Sequence, residues 1–124
     1  MGKQILLVDD DLLVLKTLTR LLEKAGHTVR AFQDSREAIQ STLCEDFDLV
    51  ITDIRMPHIN GFQTVRYIRE MRRKNQKSEP KEIFITGYAE DYEEIAGEIK
   101  PHAVIMKPFD LQEFIAVVNQ ALGP

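Results

Sequence analysis

Ile5-Leu6-Leu7-Val8-Asp9-Asp10-Asp11 is four unbroken apolar residues halted by three acids. A short run with no polar alternation reads as a strand buried on both faces, the habit of a parallel sheet. Three more runs stop in the same way. Leu49-Val50-Ile51-Thr52 ends on Asp53, Ile83-Phe84-Ile85 on Thr86, and Ala103-Val104-Ile105-Met106 on Lys107-Pro108. Ligands of open α/β sheets bind beyond the carboxyl ends of the strands. Four such endings in one sheet bring acids, a hydroxyl and an ammonium into one crevice. That combination suits a hard cation and a phosphoryl group.

Amphipathic segments fill the intervals. Residues 11–25 place Leu12, Leu15, Leu18 and Leu22 on one side, widened by Val14 and Leu21, with Asp11 as N-cap and Gly26 as stop. Thr28 to Phe32 reads as a second strand. Asp34 with Glu37 has the capping-box pattern and opens a helix through about Leu43, with Ala38 and Ile39 inward. Beyond Asp53, a loop with Pro57, Asn60 and Gly61 leads to a third helix. Its Phe62, Val65 and Ile68, with Met71, face the sheet, whereas Arg66, Arg69, Arg72 and Arg73 are expected to face water. The basic stretch from Arg66 to Lys81 is therefore read as a solvated face.

Residues 74–81 form a polar connector, followed by a strand over Glu82 to Thr86 and a short acidic helix from about Glu90 to Glu98. Asp110 and Glu113 form a second capping-box pattern, and Leu111, Phe114, Ile115, Val118 and Leu122 make the buried stripe of the last helix. Five β-then-α alternations with right-handed crossovers imply an α/β fold. It is a single doubly wound five-stranded parallel sheet with five helices on its two faces.

The chain has 124 residues, 44% hydrophobic and 29% charged, which is one globular domain of ordinary composition spanning 1–124. No linker or output domain is expected within it. A net charge of −4 argues against general nucleic-acid binding. The single cysteine, Cys44, excludes a disulfide pair or thiolate metal cluster, and reads as an inert thiol in a helix. No stretch approaches the ~20 apolar residues of a membrane span. His27, His58 and His102 are scattered and read as exposed loop residues. The expected location is the cytoplasm.

Carboxylates packed within a few ångströms raise one another's pKa unless a cation intervenes. Mg²⁺ fits best, because it takes oxygen ligands from one or two carboxylates plus a phosphate, and no histidine or cysteine accompanies these acids to favour Zn²⁺. The triplet alone has a simpler reading, as negative charge at a helix N-terminus. Asp11 suits that role, leaving Asp9 and Asp10 as candidate metal ligands. Asp53, isolated at the end of an apolar run, needs a partner or a task. Lys107 can neutralise charge on an incoming group and Thr86 can donate one hydrogen bond to it, so Asp53 is the candidate nucleophile.

Asp9-Asp10, Asp53-Ile54-Arg55-Met56-Pro57 with Gly61, Thr86-Gly87 and Lys107-Pro108-Phe109, in this order, resemble the receiver domain of two-component response regulators. The resemblance runs the length of the chain. It implies a flavodoxin-like sheet of order 2-1-3-4-5. It also implies Mg²⁺ held by Asp9, Asp10, Asp53 and the backbone carbonyl of Arg55. Asp53 would accept phosphate from a sensor histidine kinase or phosphotransfer protein, with Thr86 and Lys107 on the phosphoryl oxygens and a cis Lys107-Pro108 bond. The implied output is altered binding of a downstream effector protein or output domain through the face made by the fourth helix, fifth strand and fifth helix. Such a chain is a monomer or a phosphorylation-dependent dimer, meets neither nucleic acid nor membrane directly, and is not an enzyme beyond taking up and slowly losing its own phosphate.

The chain departs from the family pattern at Val104, where an aromatic is usual three residues before the lysine, which puts the usual threonine–aromatic switch in doubt. Lys100-Pro101-His102 replaces the familiar small-residue turn before the fifth strand. The resemblance implies that Arg55 and Tyr88 flank the phosphorylation site, where they are expected to hinder the water that would hydrolyse an acyl phosphate. Two other functional classes share the fold or chemistry. An aspartyl-phosphate phosphatase or phosphotransferase of the dehalogenase type places its acids after the first strand, whereas the lone acid here follows the third. A flavodoxin-like cofactor module needs a Ser/Thr/Gly-rich phosphate loop where this chain has Asp9-Asp10-Asp11.

Overall fold

The computed structural model describes residues 2–123, less the side chains of Ala96 and Glu98. The apolar runs form β1 (Gln4–Val8), β3 (Leu49–Asp53), β4 (Lys81–Thr86) and β5 (Ala103–Met106), with β2 (Thr28–Phe32) at one edge. All pairings are parallel and the order is β2-β1-β3-β4-β5. The fold class and strand order expected from sequence are those observed.

Side chains alternate across the sheet, so each central strand feeds two cores. Ile5, Leu7, Leu49, Ile51, Ile83 and Ile85 pack on one face under α1 (Leu12–Lys24) and α5 (Leu111–Leu122). Leu6, Val8 and Val50 pack on the other, with Ala38 and Ile39 of α2 (Ser35–Cys44) and Ile68 of α3 (Gly61–Lys74). Phe84 of β4 meets Phe62 of α3 edge to face at 5.2 Å. Ile95 and Ile99 close this third cluster, with Val104 against it. Full burial of each such side chain contributes ~1.5–3 kcal/mol, which makes the strand interiors the stable part of the molecule.

Helix starts follow the sequence signals with one exchange. Asp11 accepts from the backbone N–H groups of Leu13 and Val14, Asp34 from Arg36, and Asp110 from Glu113. The reciprocal capping box, expected at Asp34/Glu37 and Asp110/Glu113, forms instead at α3 between Asn60 and Gln63. Gly26 ends α1 with φ 97°, a left-handed conformation that costs glycine least.

Several expectations need correction, among them Leu111, expected in the buried stripe of α5 but 45% exposed. The fourth helix is not regular over Glu90–Glu98: α4 is one turn, Asp91–Glu94, followed by a π-helical turn, Ile95–Ile99, that stops at Lys100 with φ 47°. Pro101 follows and cannot continue the helical hydrogen bonding. Nor do all the arginines of α3 face water. Arg72, one helical turn after Ile68, is only 3% exposed. It donates to the carbonyls of Thr42, Ser78 and Glu45 and to Asp46, which it holds below the usual carboxylate pKa. Arg69 is 24% exposed on its side chain and pairs in fork geometry with buried Glu82, while also donating to the carbonyl of Ile99. A guanidinium can lie on the inward stripe when five N–H donors meet fixed acceptors.

His27 also differs from expectation, being half-buried, with Nδ1 accepting from the Lys3 backbone N–H at 3.2 Å. His58 and His102 are exposed, as is Cys44. Among the described residues, no helix is long and apolar enough to cross a membrane.

Arg72 clamps the end of α2 to the loop after α3, so Arg72→Ala should destabilise the protein by about 2–4 kcal/mol, because several buried carbonyls lose their donor. Arg73→Ala, one residue on and exposed, should cost less than about 0.5 kcal/mol. Urea unfolding of the two variants checks the contrast; equal midpoints would remove Arg72 from this role.

Candidate functional site

The register aligns the carboxyl ends of four strands. Val8 lies beside Thr52, Asp53 beside Ile85, and Thr86 beside Met106. The residues at or just past these strand ends, Asp9, Asp53, Thr86 and Lys107, therefore gather at the same end of the sheet. Asp9, Asp10 and Asp53 each present a carboxylate oxygen within 4.8 Å of the others. Lys107 reaches across from the end of β5 and places Nζ 3.4 Å from Asp53 Oδ2. Its backbone N–H donates to the Thr86 carbonyl at 2.8 Å, and the Lys107-Pro108 bond is cis.

The fold brings Gly61 against this site. A Cβ there would lie 2.4 Å from the Asp53 carbonyl oxygen and 2.8 Å from Ile54 Cα. Only glycine lets α3 begin this close to the end of β3.

Burial sets the electrostatics. Asp9 is 1% exposed and Asp53 7%, whereas Asp10 is exposed. Desolvation pushes Asp9 from 3.8 up to about 6, opposed by the Asp11 backbone N–H and reinforced by the charge of Asp53. Desolvation also raises Asp53, with the charge and hydrogen bond of Lys107 pulling it back. One carboxylate oxygen of Asp9 accepts from Asp11 N at 2.9 Å; the other, Oδ2, is buried with no hydrogen-bond partner. A buried, unpaired oxygen on a carboxylate grouped with two others suits a cation. The donor set is all oxygen, which fits Mg²⁺.

Thr86 is buried, but its hydroxyl is occupied. Thr86 Oγ1 donates to Asp91 Oδ2 at 2.5 Å and accepts from the Tyr88 backbone N–H at 3.1 Å. Asp91, at the start of α4, is 8% exposed, and its other oxygen lies 3.2 Å from Arg55 Nη2. The Arg55 guanidinium stacks on the Tyr88 ring at 3.8 Å and lies 3.8 Å from Glu90. All six sequence-predicted site residues thus sit at the ends of β1, β3, β4 and β5. The side chain of Arg55 turns to Asp91, and the sequence reading missed Asp91 altogether. The only signal for it was an acid five residues after Thr86, inside a stretch already rich in acids.

The chain as a whole is similar to known proteins. Residues 5–119 match the family model described as the response regulator receiver domain. The chain is 33% identical over 120 residues to a transcriptional regulatory protein CpxR homolog of Haemophilus influenzae, covering 96% of this chain and 50% of that one. It is 32% identical to the response regulator ArlR of Staphylococcus aureus, covering 96% of this chain and 52% of that one. The chain therefore spans about half the length of these curated relatives. Among solved structures it resembles the non-phosphorylated HemR receiver domain of Leptospira biflexa, with TM-score 0.85, 30% identity, and coverage of 99% and 96%. A CheY-like receiver domain protein of Methanospirillum hungatei gives TM-score 0.85, 27% identity, and coverage of 98% and 94%.

The raised pKa of Asp9 has a sign that can be measured. Folded Asp9 holds its proton more tightly than the unfolded chain does, so the associated stability is complete below about 3.8 and is lost as pH rises through about 6. In chelator-treated protein, Asp9→Asn should therefore gain stability relative to wild type as pH climbs from about 4 to about 7. Urea midpoints across that window check this; a constant difference between the two proteins would refute it.

Proposed function

This chain belongs to the response regulator receiver domain family, and from that premise we propose that it is a phosphoacceptor switch in which Asp53 takes phosphate from a phosphohistidine. The observation that carries the proposal is the meeting of the Asp9, Asp10 and Asp53 carboxylates within 4.8 Å, with Lys107 Nζ 3.4 Å from Asp53.

In this reading a carboxylate oxygen of Asp53 attacks phosphorus, forming the O–P bond of an acyl phosphate as the P–N bond to the donor imidazole breaks. The leaving nitrogen is protonated or holds a proton already. Lys107 offsets the charge on the phosphoryl oxygens, and the Thr86 hydroxyl donates to one of them. Such positioning and charge stabilisation is most of what phosphoryl transfer requires of a protein. Mg²⁺, held by Asp9, Asp10, Asp53 and the Arg55 backbone carbonyl, would neutralise the clustered acids and the transferring group when bound. Asp10, being exposed, would hold it directly or through water.

The donor is a sensor histidine kinase or a phosphotransfer protein. The receiver of the signal is an effector protein or output domain, contacted through α4, β5 and α5. Phosphorylation adds charge at the sheet's carboxyl end and biases that face between two arrangements. With a net charge of −4, this domain itself has no broad basic footprint for nucleic acid. Its chemistry is limited to gaining and slowly losing phosphate, and the cytoplasm is the compartment where such kinases present their phosphohistidine.

Incubation with acetyl phosphate and Mg²⁺ should add the mass of one phosphate to the wild type and none to Asp53→Asn. Chelation of Mg²⁺ should abolish the gain. An unmodified wild type, or a modified Asp53→Asn protein, would defeat the proposal.

Arg55 is stacked on Tyr88 and lies two residues after Asp53, which supports its acting with Tyr88 to slow access of the hydrolytic water. An Arg55→Asn, Tyr88→Ala variant should lose its acyl phosphate about tenfold faster than wild type, a change of about 1.4 kcal/mol in barrier. Decay followed by intact mass tests this, and matched half-lives would dismiss that role.

A further inference from the structure

We propose that Asp91 is a latch on Thr86: it competes with the phosphoryl group for the one hydroxyl proton that Thr86 can donate, and its release frees the first turn of α4. The inference rests on the phosphoacceptor reading of Asp53 and names how that site is regulated.

A threonine hydroxyl has a single donor hydrogen. Here it is committed to Asp91 Oδ2 at 2.5 Å, while the Tyr88 N–H fixes the oxygen from the opposite side. Thr86 cannot serve a phosphoryl oxygen without giving up Asp91. A hydrogen bond to a charged acceptor is stronger than one between neutral groups, so the competition is real.

The released carboxylate is not stranded. Asp91 is almost fully buried, yet its second oxygen stays 3.2 Å from Arg55, whose guanidinium is held by the Tyr88 ring. Both positions of Thr86 therefore leave every charge with a partner, the condition for a two-state element. The latch also lies where motion is cheap. Its α4 has four residues, no side-chain cap, and a π-helical turn after it. A cleft of about 530 Å³, lined by Ile54, Asn60, Phe62, Asp91 and Glu94 among others, lies between α4 and the start of α3. Val104 packs into the cluster of Ile54, Phe84 and Ile99, whereas Asp91 bonds the Thr86 hydroxyl directly, so coupling from Thr86 to α4 runs through Asp91.

The test uses beryllofluoride with Mg²⁺, a tetrahedral phosphoryl mimic, titrated by calorimetry into wild type, Asp91→Ala, Asp91→Asn, Thr86→Ala and the Thr86→Ala, Asp91→Ala double variant. Removing the competitor should tighten binding about tenfold in Asp91→Ala. Asp91→Asn keeps an uncharged acceptor and should fall between. In the Thr86→Ala background the Asp91 substitution should change nothing, a result that a merely structural role for Asp91 would not give. Amide resonances of residues 91–94 in free Asp91→Ala should already lie toward their mimic-bound positions in wild type. Binding by wild type with no tightening in Asp91→Ala, or tightening that persists without the Thr86 hydroxyl, overturns the latch alone. Failure of wild type to bind the mimic overturns the phosphoacceptor reading, and the latch with it.

Discussion

Three carboxylates share one end of a parallel sheet with a single ammonium among them. Two of the acids, Asp9 and Asp53, are buried because the strands they terminate are buried. Desolvation raises both of their pKa values, so the free domain carries a destabilised site by construction. Lys107 at 3.4 Å relieves Asp53 in part, and Asp9 retains an oxygen without any hydrogen-bond partner. An all-oxygen acidic cluster of this kind suits a divalent cation. The rest of the molecule is what keeps the acids from separating.

That restraint comes from apolar packing on both faces of the sheet. Leu6, Val8 and Val50 cannot slide along their neighbours without leaving the core under α2 and α3, and Ile5, Leu7 and Ile51 are equally fixed under α1 and α5. A parallel strand slipped by one residue would send each of these side chains to the opposite face. The register that places Asp53 opposite Ile85 and Thr86 opposite Met106 is therefore set by residues with no chemistry of their own. Gly61 adds a backbone approach close enough to fix the loop after Asp53.

Helical regularity breaks down between β4 and β5. Between Thr86 and β5 the chain forms a single α-helical turn, a π-helical turn and a left-handed stop at Lys100. The Arg55–Tyr88–Asp91–Thr86 chain of contacts spans from the rigid end of β3 to this weaker segment. In the proposed function, a charge change at Asp53 would meet the packed sheet on one side and this irregular helix on the other.

The sequence by itself determined the sheet, its strand order through a family resemblance, and the identity of the converging acids, hydroxyl and lysine. Those features are written in local patterns: apolar runs of strand length, helical spacing of leucines, and polar residues at the point where each run stops. It misplaced Arg69 and Arg72, because a guanidinium on the inward stripe is stable only where distant carbonyls and Glu82 or Asp46 happen to meet it. It missed Asp91, and read the fourth helix as regular, for the same reason. Whether an acid in an acidic stretch bonds a hydroxyl five residues away depends on how the loop turns and on what Arg55, 36 positions earlier, does with its charge. Covalent order and hydrophobic period are local quantities that a chain carries unfolded; which donor satisfies which buried acceptor exists only once tertiary packing has brought the two together.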